Sequence, residues 1–99
     1  MNAYPISFSV KATEDLDAIF DYVAKDSPAV AAQIVDRLVV FCNETLSEHP
    51  YIGVQANSLE KGLRSFNISS YRVLYSVPNQ SVLIRRIVHG SRDTKRLSL

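Results

Sequence analysis

The sequence has 99 residues, 46% hydrophobic and 21% charged, with three glycines and four prolines. That profile predicts one globular domain and excludes collagen, low-complexity and disordered chains. The net charge of +1 conceals two opposed parts: residues 1–60 hold three basic and nine acidic residues, residues 61–99 eight basic and one acidic, so either the halves neutralise each other or the basic part meets an anionic partner.

Tyr4, Ile6, Phe8 and Val10 alternate with Pro5, Ser7, Ser9 and Lys11, which predicts a half-buried strand. Pro5 cannot donate to a ladder, so it marks an edge or a strand entry. Thr13 is the expected N-cap of a first helix, with Glu14, Asp15 and Asp17 suiting its positive end. Leu16, Ile19, Phe20 and Val23 form its apolar stripe, Tyr22 lies at the stripe's edge, and the helix ends near Lys25. Ser27-Pro28 restarts the chain as N-cap and first helical residue. The second helix is expected from Pro28 to about Glu48, with Ala31, Ile34, Val35, Leu38, Val39, Phe41, Cys42 and Leu46 as its buried stripe. Val40 falls on the polar side and is an exposed apolar candidate. A connection as short as Asp26-Ser27 makes the two helices an antiparallel hairpin.

His49-Pro50 stops the helix. Tyr51 to Lys61 has no clear period and reads mostly as loop. Leu63, Phe66 and Ile68 predict a short strand, Ser69-Ser70 a turn, and Tyr71 to Val77 a strand with Arg72, Leu74 and Ser76 on the face opposite Tyr71, Val73, Tyr75 and Val77. Pro78-Asn79-Gln80 is a hairpin turn, Val82 to Val88 the last strand, and Ser91 to Leu99 a short basic tail. The predicted fold is α+β: a helix hairpin packed on one face of a small, mostly antiparallel sheet, in the order β-α-α-β-β-β.

No apolar run approaches the ~18 residues of a membrane span, and no basic stretch followed by an apolar run marks a secretion signal. The single cysteine, Cys42, excludes an internal disulfide, fits a reducing cytoplasm and sits on the buried stripe as a packing thiol. With two histidines beside it, ligands for a metal are too few; no metal and no cofactor is expected. Glycine-rich phosphate loops and nucleophile elbows are absent from the sequence. The carboxylates of the first helix read as a solvated face, and Glu48-His49 is a weak acid–base pair.

The informative residues are Arg64, Arg72, Arg85, Arg86, His89 and Arg92, spread over adjoining strands and their ends. By alternation Arg85 and His89 share one face and Arg86 shares the other with Ile84. A sheet covered by helices on one side leaves its other face free, and guanidinium groups there would grip phosphates through charge-assisted hydrogen bonds. His89, which titrates near neutrality, is the candidate acid or base should the partner be RNA. The opposing reading is that the arginines pair with helix carboxylates.

Several segments together resemble one family. They are Ala12-Thr13-Glu14-Asp15-Leu16 with Ile19 and Tyr22, the Ser27-Pro28 helix start, Leu46 to Pro50 with Gly53, Gly62-Leu63-Arg64-Ser65-Phe66, Tyr71-Arg72-Val73-Leu74-Tyr75, and the ending Arg86-Ile87-Val88-His89-Gly90-Ser91-Arg92-Asp93. Their order and spacing, over about residues 4–96, resemble the RelE/ParE toxin superfamily, and the ending leans toward the ParE branch. The resemblance implies the toxin of a bacterial type II toxin–antitoxin pair, of the kind associated with plasmid stabilisation, with a helix hairpin on a small sheet. ParE-like members poison DNA gyrase without being enzymes, and RelE-like members cut mRNA on the ribosome. Arg72 matches an arginine used by the RNase members, whereas their lysine-rich loop and terminal tyrosine have no match here. At Arg85 ParE-like sequences more often carry an aliphatic residue.

The leading expectation is a gyrase inhibitor neutralised by a ParD-like antitoxin. Arg64, Arg72, Arg85, Arg86, His89 and Arg92 would contact the target, and Tyr22 and Val40 the antitoxin. The alternative is a metal-independent, ribosome-dependent endoribonuclease with Arg64 and Arg72 on the scissile phosphate of bound mRNA and His89 moving a proton. A further alternative is a degenerate toxin that only binds its antitoxin.

Overall fold

Ser9 ends the first strand and starts the first helix in a single residue. The computed structural model describes residues 3–99. Strand β1 is only Ile6–Phe8, and helix α1 runs over Val10–Ala24. The Ser9 hydroxyl accepts from Ala12 N–H, the bond of an N-cap. The expected cap, Thr13, lies one turn inside the helix and donates its hydroxyl back to Ser9 O. Glu14, Asp15 and Asp17 therefore fall beyond the first turn, which holds no acidic residue.

Helix α2 (Pro28–Val40) is capped by the Ser27 hydroxyl, as expected. It continues without a break through a π-helical turn at Phe41–Thr45 into a last turn at Leu46–Glu48. The π-turn, closed by Leu46 N–H on Phe41 O, is invisible in the apolar spacing. It brings Phe41, Cys42 and Leu46 into the core together, and the Phe41 ring stacks on Phe66 at 4.9 Å.

The other strands are β2 (Val54–Gln55), β3 (Leu63–Ile68), β4 (Tyr71–Ser76) and β5 (Val82–His89). The sheet order is β1-β5-β4-β3-β2, with β1 parallel to β5 and every other pair antiparallel. Asn79 and Gln80 both take positive φ between β4 and β5, the backbone of a hairpin turn matched to strand twist. The helices cover one face, where Leu38, Phe41, Cys42 and Leu46 meet Val73, Tyr75, Val82, Ile84 and Ile87. This is the α+β architecture read from the sequence, with β2 added at the edge of a segment read as loop.

Two expectations about the sheet are corrected. Tyr75 pairs with Ile84 and Leu74 with Arg86, so Arg85 is an extra residue at a β-bulge. Past the bulge the alternation is reversed: Ile87, not Arg86, shares the helix-facing side with Ile84. The second face is not free either. Leu63, Leu74 and Val88 are buried, and Leu59 and the C-terminal residues Thr94, Leu97 and Leu99 line clefts on that side.

Candidate cationic surfaces

Of the six arginine and histidine candidates, three are consumed inside the molecule. Arg86 is nearly buried and makes a two-pronged pair with Asp15 of α1, Nε to Oδ2 at 2.7 Å and Nη2 to Oδ1 at 2.9 Å. Its remaining nitrogen, Nη1, donates to Ser98 O at 2.6 Å. The hydrogen-bonded Asp15 carboxylate holds the Arg86 guanidinium above its ordinary pKa. The reading of the α1 carboxylates as one solvated face therefore fails at Asp15. The bulge and the end of β1 leave the edge of β5 open there, and Asp15 accepts from Ile87 N–H as well.

Arg85, the bulged residue, pairs with Glu60 at 2.6 Å and 3.2 Å. Hydrogen bonding to that guanidinium lowers the Glu60 pKa. Arg64 donates to Gly53 O at 2.7 Å and to Tyr51 O at 3.3 Å, and lies over the Tyr51 ring. Only one of these three partners is a helix carboxylate. The expectation of a single guanidinium-rich face is nonetheless replaced by a framework of internal clasps.

The other three are freer, and they do not share a face. Arg72 pairs across β5 with Val88, on the side of the sheet away from the helices, and donates from Nε to Asn67 Oδ1 at 3.4 Å. His89 pairs with Tyr71 on the helix side. Its ring packs edge-on against Tyr71, with Nδ1 beside the Ser91 hydroxyl at 2.7 Å and Ser91 N–H at 3.2 Å. Arg92 is exposed and has no carboxylate partner among the described residues.

Tyr22, 74% exposed, and Val40, 43% exposed, lie on α1 and α2 as the sequence predicts. Tyr22, Ile19, Tyr71, His89 and Arg92 line one cleft of about 430 Å³. A larger cleft, about 560 Å³, crosses the other face and includes Arg72, Lys95 and Thr94. In the sequence Lys95 belongs to the basic tail, which offers no pattern that says what it folds against. Cys42 is fully buried and burial pushes its thiol up to about 12, so it is no nucleophile. Among the described residues, no three of the His, Cys, Asp and Glu side chains are placed to hold a metal ion, and no helix is long and apolar enough to cross a membrane.

The family model described as the ParE toxin of the type II toxin–antitoxin system parDE matches residues 6–94. Toxin ParE3 of Caulobacter vibrioides is 30% identical over 76 residues, which span 77% of this chain and 76% of that protein. A chain of the chromosomal ParDE system of P. aeruginosa superposes with a TM-score of 0.73 at 26% identity, covering 90% of this chain and 98% of its own. A chain of the RelBE2 toxin–antitoxin complex of Mycobacterium tuberculosis does so with 0.69 at 27% identity, covering 88% and 98%. The isolated E. coli RelE toxin shares the fold, with 0.58 at 20% identity over 92% of this chain and 88% of its own. This chain belongs to the ParE toxin family of type II toxin–antitoxin systems, within the RelE/ParE superfamily.

Proposed function

We infer that this toxin acts in the bacterial cytoplasm by binding and not by cutting, with DNA gyrase as its target and a ParD-like antitoxin as its neutralising partner. One observation carries the choice of mechanism. The three residues that an RNA-cutting site would have to bring together line three separate clefts: Arg64 one, Arg72 another, His89 a third. Arg72 and His89 belong to opposite faces of the sheet. Arg64 pairs with Tyr75 and His89 with Tyr71, so along β4 they stand roughly 13 Å apart. Phosphate activation and proton transfer need groups within hydrogen-bond reach of the same reacting atoms.

The name of the Caulobacter relative and the ParDE neighbour support the ParE branch over the RNase branch. The toxin–antitoxin complex of the RelBE2 neighbour supports an antitoxin partner. Arg72, His89 and Arg92 are the proposed target contacts, and Arg64, Arg85 and Arg86 hold the framework that presents them. Tyr22 and Val40 are proposed antitoxin contacts, where an acidic amphipathic segment would cover exposed apolar side chains of both helices.

The test sets purified protein against gyrase supercoiling and cleavage, beside a translation extract in which mRNA ends are mapped. Inhibition of gyrase at micromolar concentration with mRNA intact is the expected result. Codon-positioned cuts that disappear in Arg72→Ala overturn it in favour of the endoribonuclease. Unchanged growth on induced expression points to a degenerate toxin.

A further inference from the structure

We propose that the outer edge of β2 is a self-association surface, on which a second copy of this chain pairs antiparallel about Gln55. This goes beyond the reading above and rests on no part of it.

Three observations carry the surface and its occupant. The first is a free strand edge. β2 is last in the sheet order, so among the described residues no strand covers its outer side. Ala56 N–H donates to Leu63 O, and Val54 pairs with Ser65. Antiparallel ladders bond through alternate residues. Val54 and Ala56 therefore turn their backbone groups toward β3, and Gln55 turns its N–H and C=O outward. Val54 and Gln55 are both exposed. Lysine or proline in an edge strand blocks pairing with another chain, and β2 has neither.

The second is an apolar patch on the same edge. Tyr51 is 58%, Ile52 44% and Val54 71% exposed. Ile52 lines one cleft with Val54 and a second hollow, of about 410 Å³, with Tyr51, Pro50 and His49. Large apolar side chains gathered beside unpaired backbone groups are the makings of strand addition by another protein chain.

The third is charge, which chooses the occupant. Residues 49–59 contain no lysine, arginine, aspartate or glutamate. The neighbouring guanidinium, Arg64, lies over the Tyr51 ring and donates to Tyr51 O and Gly53 O. An acidic segment or a nucleic acid needs cations that this patch does not offer. A two-fold contact instead sets each group near its own copy, so it costs repulsion wherever the surface is charged. The exposed Glu14, Asp17 and Asp21 of α1 and the basic tail would each meet their like. The β2 edge escapes that penalty.

Two-fold pairing about Gln55 lets the two Gln55 residues exchange both N–H···O bonds and places Val54 of each protomer opposite Ala56 of the other. The pairing uses up both outer edges, so it closes at a dimer and does not grow into a fibre. β2 is only two residues long, so the interface is small and the association reversible. His89 lies on β5, with β4 and β3 between it and β2, so pairing leaves the cleft lined by Tyr22, His89 and Arg92 open on each protomer.

Sedimentation equilibrium of the full chain, from micromolar to near-millimolar concentration, tests the proposal. A reversible monomer–dimer equilibrium is expected, with Gln55 N–H exchanging more slowly with deuterium as the dimer fills. Gln55→Pro removes an outward donor and leaves the bonds to β3 in place, as proline does on an edge strand. It should weaken the dimer roughly thirtyfold, since both Gln55 bonds across the axis are lost. Val54→Lys should weaken it by at least about tenfold through like charges close to the axis. Val54 is exposed, so if Gln55→Pro fails to fold, Val54→Lys decides alone. Val10→Lys, at an exposed apolar residue on α1, should dimerise as the unaltered protein does.

A monomer at every concentration, a dimer undiminished in both β2 variants, or species that grow beyond the dimer each overturns the proposal. So does a monomer whose co-expressed antitoxin is lost in Gln55→Pro, which would assign the edge to that partner. Gyrase left unaffected by a protein that dimerises as described would sink the target reading and leave this inference standing. Gyrase inhibition by a protein that stays monomeric would do the reverse.

Discussion

Arg86 and Asp15, 71 residues apart in the chain, meet in a nearly buried two-pronged ion pair at the open edge of β5. One carboxylate oxygen also takes Ile87 N–H, and the guanidinium also holds Ser98 O. The pair thus ties α1, the last strand and the C-terminal tail to one point. Asp15→Ala should leave a buried charge and an orphaned backbone donor, costing roughly 3–5 kcal/mol. Chemical denaturation measures this directly. Asp17→Ala, exposed on the same helix, should stay within about 0.5 kcal/mol. The double change Asp15→Leu with Arg86→Met, which removes both charges, should lose far less than the single one.

The same pair shows where the sequence stops being readable. The helix hairpin, its Ser27 cap, β3, β4 and β5 follow from period and turn chemistry, because each is decided by residues close together in the chain. The partner of Arg86 depends on a bulge at Arg85 that reverses the alternation within an apolar and basic run. Nothing in Val82 to His89 marks that reversal. The covering of the second face by Leu59, Thr94 and Leu97 is likewise a matter of long-range packing. Arg92 and Tyr22 are legible as exposed candidates, and Arg72, half-buried, is legible as lying on the face opposite Tyr71 and Val73. That Arg64 spends its charge on backbone carbonyls was not, since carbonyls leave no trace in a sequence.

Ser9 takes the N-cap role that the sequence assigns to Thr13, and substitution distinguishes the two. Ser9 caps α1 and also donates its hydroxyl to Arg85 O at 2.8 Å, and its N–H goes to Ile84 O. Ser9→Ala should cost about 1–2 kcal/mol, the upper part of the range for a lost N-cap. Thr13→Ala, at an exposed helix interior position, should be neutral or slightly stabilising through helix propensity. Thermal denaturation of the two variants side by side is sufficient.

Glu60 gives the fold a modest acid sensitivity. Hydrogen bonding to Arg85 holds its native pKa below the ordinary value of 4.5. Below that ordinary value the unfolded chain binds the proton more readily than the native one. Its contribution is therefore complete above pH 4.5 and fades as pH falls through the lowered native value. The pair is open to water, so the contribution stays under about 1 kcal/mol and shrinks in high salt. Glu60→Gln should melt below the unaltered protein at neutral pH, and the gap should close on acidification. A gap that is constant with pH would mean that the carboxylate charge is not what matters.

Cys42 reports on global opening. It is fully buried, and burial pushes its thiol to about 12. The thiolate is the reactive species, so a thiol reagent at mildly alkaline pH should leave the native protein unmodified and label it quantitatively in denaturant. Cys42→Ser should cost about 1–3 kcal/mol, because a hydroxyl is placed where a weakly polar thiol packs against the core.

Gly53 and Tyr75 are coupled through a single close approach. Gly53 N–H donates to the Tyr75 hydroxyl at 2.9 Å, and Gly53 O accepts from Arg64 at 2.7 Å. A Cβ on Gly53 would stand 2.6 Å from that hydroxyl and 2.9 Å from both Ser65 O and the Tyr75 ring. Gly53→Ala should therefore cost about 1–3 kcal/mol by overpacking. Tyr75→Phe should cost about as much for a different reason, the stranding of the Gly53 donor in a buried setting. The two changes share an atom, and their combination removes the worst clash together with the lost bond. The double variant should be more stable than the sum of the single losses allows, though not fully restored, because the Ser65 carbonyl and the ring stay in place. Strict additivity in a denaturant titration of the four proteins would show that the hydroxyl does not set the approach of the Tyr51–Gly53 segment to the sheet.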